Sequence, residues 1–271
     1  MSKKQTESGI ARIYVREALE KAQNCFLCYL ENRFEQRYID NYLNELVMDA
    51  SAREKIIESR GFCNYHFYKT FALSADPSSG DGLGLALILK SVTEQLLEDV
   101  RKLHNANLRL SNQRKLRFRH PSGSSKLAEL IRPITNQIKC PACDHVWTML
   151  QVYTRDFLHG VIEDQQISKL FDARGSICIP HYVMTLFIAS RDSDEGFESA
   201  IEKIASRQIQ SLEKMQMDLS QYIAKQEYRF SEKERLGTEK AIEESLAKVA
   251  GKRGIEGVLT RVLKSLGGAT P

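Results

Sequence analysis

"SRGFCNYH", residues 59–66, decides the fold: it places Cys63 and His66 three apart directly after Gly61. "ARGSICIPH", residues 173–181, repeats the arrangement with Cys178 and His181. Upstream of each lies a CxxC, "CFLC" at 25–28 and "CPAC" at 140–143. All six cysteines of the chain belong to this scheme. Cys28 to Cys63 spans 35 positions, as does Cys143 to Cys178, and each member of the second set lies 115 positions after its partner in the first. Two CxxC…CxxH frames in register point to internal duplication. The surroundings keep the same offset: Tyr38 falls on Tyr153, Leu43 on Leu158, Asp49 on Asp164 and Thr70 on Thr185. Beyond the histidines an offset of 116 aligns Leu85, Ile88 and Leu96 with Ile201, Ile204 and Leu212, so one extra residue is expected near 191–197.

Three sulfurs and one imidazole match the closed tetrahedral sites that zinc favours. The candidate ligands are Cys25, Cys28, Cys63 and His66 in the first copy, and Cys140, Cys143, Cys178 and His181 in the second. Two zinc ions per chain are expected, each stapling the base of a helical hairpin, with helix starts near the thiolates adding a favourable dipole end. Closure within each copy is the expectation; the spacing also permits Cys25 and Cys28 to be completed by Cys178 and His181. Iron–sulfur ligation and a redox dithiol are the competing chemistries. Four protein ligands leave no open position, which argues for structural rather than hydrolytic metal.

The 271 residues are 42% hydrophobic and 27% charged, an ordinary globular balance. A net charge of +4, from 39 basic and 35 acidic side chains, does not by itself call for nucleic acid or membrane. No apolar run approaches the roughly 18 residues of a membrane span, and "MSKKQTESGI" is not followed by the apolar core of a secretory signal. The expected location is the cytoplasm, where thiols stay reduced and patterned cysteines point to metal or catalysis.

The expected fold is all-α: a tandem duplication of a zinc-stapled helical unit with long helices and a C-terminal helical extension. Residues 1–110 form the first repeat, 111–125 a basic flexible linker, 126–225 the second repeat, and 226–271 charged and amphipathic helices. Leu30, Phe34, Ile39, Leu43 and Leu46 form an apolar stripe after the first CxxC. A capping box of Ser51 and Glu54 is expected to open the next helix, and Gly61 to supply a left-handed cap at its end. A long helix over Leu83–Leu110 carries Leu85, Leu89, Val92, Leu96, Val100 and Leu103. Ile255, Val258, Leu259, Val262, Leu263 and Leu266 form a final amphipathic stretch that must pack on the body, a second copy or a partner.

The other polar residues read as structural. Asp49 and Asp164 precede helices and suit N-caps. His145, His159, His104 and His120 fall outside the repeated scheme, and Trp147 and the Tyr38/Tyr153 pair sit on apolar stripes of the core. "GDGLGLA" has no preceding strand and is not a nucleotide loop. Arg114, Lys115, Arg117 and Arg119 surround Phe118 in the linker, a pattern able to hold phosphate and stack a base, or to remain a solvated segment.

"CFLC", "GFCNYH", "CPAC" and "SICIPH" resemble a prokaryotic family of unknown function whose members carry a CPxC-like start and a GFCxxH-type return, often twice. The similarity spans roughly residues 10–225, with Phe26 where the second copy has Pro141 and Ser176 where the first has Gly61. It implies a metal-binding helical protein and no particular activity. The functional expectation is a non-catalytic scaffold or adaptor that binds another protein, or a second copy, through its C-terminal amphipathic helix. The alternatives are nucleic-acid binding or regulation through the basic linker, and a thiol-redox or iron–sulfur role.

Overall fold

The computed structural model describes residues 3–74, 82–114, 131, 140–192, 196–225 and 240–251. Among them are ten α-helices and no strand. They are α1 (Lys3–Lys21), α2 (Phe26–Asn44), α3 (Ala50–Glu58), α4 (Asn64–Ser74), α5 (Leu83–Arg114), α6 (Pro141–Glu163), α7 (Gln165–Arg174), α8 (Ile179–Arg191), α9 (Phe197–Ala224) and α10 (Lys240–Ala250). A 3-10 turn, Leu46–Met48, precedes α3. The starts of α2, α3 and α4 recur as those of α6, α7 and α8 at the 115-residue offset, consistent with a duplicated helical unit. The basic stretch 115–125, His120 and the apolar run 255–266 lie outside the described residues, as does part of the 191–197 loop.

The chain forms two compact units, Met1–Phe34 with Trp147–Pro271, and Glu35–Val146. The division cuts across the repeats and falls inside α2 and inside α6. In the second unit Ile39, Tyr42, Leu43 and Val47 meet Ile56, Phe62, Leu85, Ile88 and Val92, with Ala142 and two cysteines of the second repeat in the same core. Each such apolar side chain contributes roughly 1.5–3 kcal/mol when fully buried. Gly84 lets α5 approach the end of α2, because a Cβ there would stand 2.4 Å from the carbonyl oxygen of Leu43. That close approach accounts for the glycine of "GDGLGLA". In the first unit Phe157 packs on Phe26 at 4.7 Å and on Phe171 at 5.1 Å between ring centres. Tyr153 stacks on Phe34 at 4.5 Å. Arg12 and Arg16 of α1 reach Glu163 and Asp164 at 2.6 and 2.7 Å, fixing α1 against the start of α7.

Local details correct several expectations. Asp49, not Ser51, caps α3: its carboxylate accepts from the Ala52 amide at 2.8 Å, and the Ser51 hydroxyl donates to that same carboxylate. The helix therefore starts before the Ser51–Glu54 box can form. Asp164 caps α7 likewise, accepting from the amides of Gln166 and Ile167. The left-handed cap of α3 is shared. The Arg60 amide bonds to the Ile57 carbonyl and the Gly61 amide to that of Ile56, with φ of +58° at Arg60 and +94° at Gly61. The strain at Arg60 is offset by its side chain, which bonds Asp99 of α5 at 2.7 Å and the carbonyls of Ile57 and Glu58. The buried face of α5 runs Leu85, Ile88, Val92 and Asp99, leaving Leu89 and Val100 exposed, because Asp99 must face Arg60. Trp147 and Tyr38 are half-buried, whereas Tyr153 is core.

Two consequences are measurable. Gly61→Ala should lower stability by roughly 1–3 kcal/mol, since its Cβ would sit 2.3 Å from the Phe67 ring and φ is positive there; chemical denaturation reads it. Asp99→Asn should cost about 2 kcal/mol at neutral pH. Burial opposes the Asp99 charge, but Arg60 and Gln95 hold its carboxyl below the ordinary 3.8. The stabilisation is therefore present above that value and fades as pH falls through the lower folded one. The gap between wild type and variant should accordingly close in acid.

Candidate metal centres

Each centre is built at the N-termini of two helices. Cys25 precedes α2 and Cys178 precedes α8, and their carbonyls accept from the amides of Tyr29 and Tyr182. Cys140 precedes α6 and Cys63 precedes α4, with carbonyls accepting from Asp144 and Phe67. Cys28, Cys143, His66 and His181 then fall in the first turn, three residues on. The free amides and dipole ends of these turns favour thiolate.

The eight predicted ligands assemble into two groups, and the groups close across the repeats. Cys25 and Cys28 meet Cys178 and His181; Cys63 and His66 meet Cys140 and Cys143. Within each group the four donor atoms lie within 4.8 Å of one another. The grouping by repeat, Cys25–Cys28 with Cys63–His66, does not form. Each CxxC instead completes the CxxH of the other copy, and this exchange places residues 25–34 in one compact unit with 147 onward.

The first centre has Cys28 Sγ 3.7 Å from Cys178 Sγ, and His181 Nδ1 at 3.5, 3.4 and 3.2 Å from the sulfurs of Cys25, Cys28 and Cys178. The second has Cys63 Sγ 3.7 Å from Cys143 Sγ, and His66 Nδ1 at 3.1, 3.5 and 3.3 Å from the sulfurs of Cys63, Cys140 and Cys143. A regular tetrahedron with metal–sulfur bonds near 2.3 Å and metal–nitrogen bonds near 2.0 Å has edges of about 3.8 and about 3.5 Å. The donors therefore stand close to the corners that a tetrahedral ion requires. All six cysteines are free thiols, and all but the half-buried Cys63 are buried.

The electrostatics favour positive charge at both centres. Burial disfavours an imidazolium at His66, yet the sulfurs of Cys140 and Cys63 and the carboxylate of Glu35 outweigh it and raise its pKa to about 11. His181 is likewise raised, against its burial, by Cys25, Cys178 and Cys28. The sulfurs compete for charge as well: contacts with Cys140 and Cys143 push Cys63 down, and Cys140 and Cys63 push Cys143 up. Three clustered sulfurs thus attract positive charge into a space the size of one ion. Each donor set fits a metal.

A buried carboxylate stands beside each imidazole. With Nδ1 facing the sulfurs, Nε2 of His66 lies 2.8 Å from Glu35 and that of His181 lies 3.6 Å from Glu31. Both glutamates are essentially inaccessible. A ligating histidine commonly donates its second ring N–H to a carboxylate, which fixes the tautomer and raises ligand basicity. Lys69 and Tyr65 hold the other oxygen of Glu35. Behind each histidine a buried threonine bonds back to the histidine carbonyl, Thr70 at 2.6 Å and Thr185 at 2.8 Å. Of the other described histidines, His145 stacks on Tyr38 at 4.7 Å, and His159 packs on Phe197 and lies 3.9 Å from Glu163. His104 is exposed.

Over residues 6–255 the chain matches a family of unknown function, DUF6062, and it belongs to that family. It is 27% identical over 189 residues, 68% of this chain and 78% of the relative, to an uncharacterized 23.9 kDa protein in the xynA 3′ region of Caldicellulosiruptor sp. (strain Rt8B.4). No solved structure matches it.

Paired substitutions test the exchange. Cys25→Ser with Cys178→Ser should remove one bound ion per chain, whereas Cys25→Ser with Cys63→Ser should remove both. Glu35→Gln should weaken one ion by roughly 10–100-fold and leave the other in place. Elemental stoichiometry and chelator titration read these outcomes.

Proposed function

We propose that this member of a family without an assigned activity is a zinc protein whose two Cys3His centres are structural. The observation that carries the reading is the donor count: each centre gathers four protein ligands at tetrahedral spacing, with no coordination position left for water or substrate. Zinc is favoured over iron–sulfur by the imidazole in each set and by donor atoms spaced for a single ion rather than a cluster. A redox dithiol is disfavoured for the same reason, since each CxxC is engaged with a distant cysteine and histidine. In a reducing compartment such as the cytoplasm the six thiols remain available for metal. Among the described residues no helix is long and apolar enough to cross a membrane.

On this reading the metal supports a non-catalytic scaffold that presents helical surfaces to another protein. Support comes from apolar side chains left exposed on helix faces, among them Ile242, Leu246 and Val249 of α10 and Ile209 and Met217 of α9.

Protein purified without added metal should carry two zinc ions per chain and be colourless. Stripping them should cost most of the helical cooperativity of unfolding, read by circular dichroism. Visible absorption with bound iron, or a metal-free chain of unchanged stability, would overturn the zinc reading.

A further inference from the structure

α10 lies beyond the repeated part of the chain, yet it buries a lysine. Ala241, Ser245, Ala247 and Lys248 form its inner face, and Lys248 is only 5% exposed. Its ammonium donates to Gln208 Oε1 at 2.8 Å and to Ser176 Oγ at 3.4 Å, both neutral acceptors. A buried ammonium requires a nearby anion. Lys248 lines a cavity of about 190 Å³ together with Cys25 and Cys178, and with the charged Lys214, Asp218 and Glu244. Burial lowers the affinity of its amine for a proton, the charges of these two sulfurs oppose that, and Arg207 adds a second positive neighbour.

The charge count explains the placement. A divalent ion with three thiolates and a neutral imidazole carries one net negative charge, and a buried glutamate beside the histidine adds another. In the unit of residues 35–146 the compensating cation is Lys69 of α4, which pairs with Glu35. At the repeat offset Lys69 falls on Met184, a fully buried apolar residue. The second CxxH helix therefore brings an apolar side chain where the first brings a cation.

We propose that Lys248 is a counter-ion of the Cys25–Cys28–Cys178–His181 centre, so that the C-terminal helix α10 is held in place by the loaded metal site. This rests on the metal reading above. It makes α10 a metal-dependent element: without the ion the cluster of sulfurs beside which Lys248 is buried is no longer held together, and the helix loosens from α8 and α9.

The test uses the full chain loaded with zinc, comparing wild type, Lys248→Met and Lys248→Arg. A chromophoric chelator should take one of the two ions at least tenfold faster from Lys248→Met, while the second ion and the helical content stay as in wild type. Lys248→Arg should restore release to within a few-fold of wild type. In wild type, stripping the metal should raise amide exchange across residues 240–250 by tenfold or more. If wild type binds two ions and Lys248→Met releases both at the wild-type rate, or α10 exchanges equally with and without metal, the inference falls and the metal reading stands. If wild type binds no ion, the metal reading itself falls, and this inference with it.

Discussion

Four donor atoms from two distant places in the chain must meet around one point, twice. That requirement organises the rest of the molecule. Each meeting point sits where two helices begin, so the backbone already offers unpaired amides to sulfur. The apolar surfaces flanking those starts then form the cores: Phe26, Phe157 and Phe171 in one unit, Tyr42, Ile56 and Phe62 in the other. Burial of the sulfurs follows from the packing, and the packing depends on the donors converging. Beside each imidazole a buried carboxylate adds to the charge collected there.

Much of this could be read from the chain. The ligands stood out because cysteine occurs nowhere else, and the helix starts because stripe, cap and gap recur at a constant offset. Pairing could not be read. When two copies share one spacing, closure within a copy and closure between copies predict the same sequence. Only the three-dimensional path of α2 and α6 distinguishes them. Glu31 and Glu35 were also hidden, since a glutamate on a helix is ordinarily a solvated residue. The trace they left is position: Glu31 follows Leu27 and Glu35 follows Glu31 by four residues each, on a helix whose inner face includes Leu27. Thr70 and Thr185 were visible as a repeated pair, but their bond to the histidine carbonyl is a matter of geometry.

Capping shows the same division between pattern and competition. Ser51 and Glu54 satisfy a capping-box pattern, yet Asp49 reaches the free amides first and draws Ser51 in as a donor to itself. The long helix α5 carries apolar residues on several faces, and periodicity alone selected the stripe through Leu89 and Val100. A single polar contact, Asp99 with Arg60, settles which face turns inward.

The reciprocal exchange also imposes an order in time. A chain emerging from the ribosome at roughly 5–20 residues per second exposes Cys25 and Cys28 first. Their native partner Cys178 lies 150 residues further on, whereas Cys63 and His66 arrive far sooner. For several seconds the nascent chain thus displays an in-repeat set of three thiols and an imidazole that its finished form never uses. Cys140 and Cys143 then appear, only 80 residues separating Cys63 from Cys143, and claim the first CxxH. An ion bound to that early quartet would have to change ligands before either core could close.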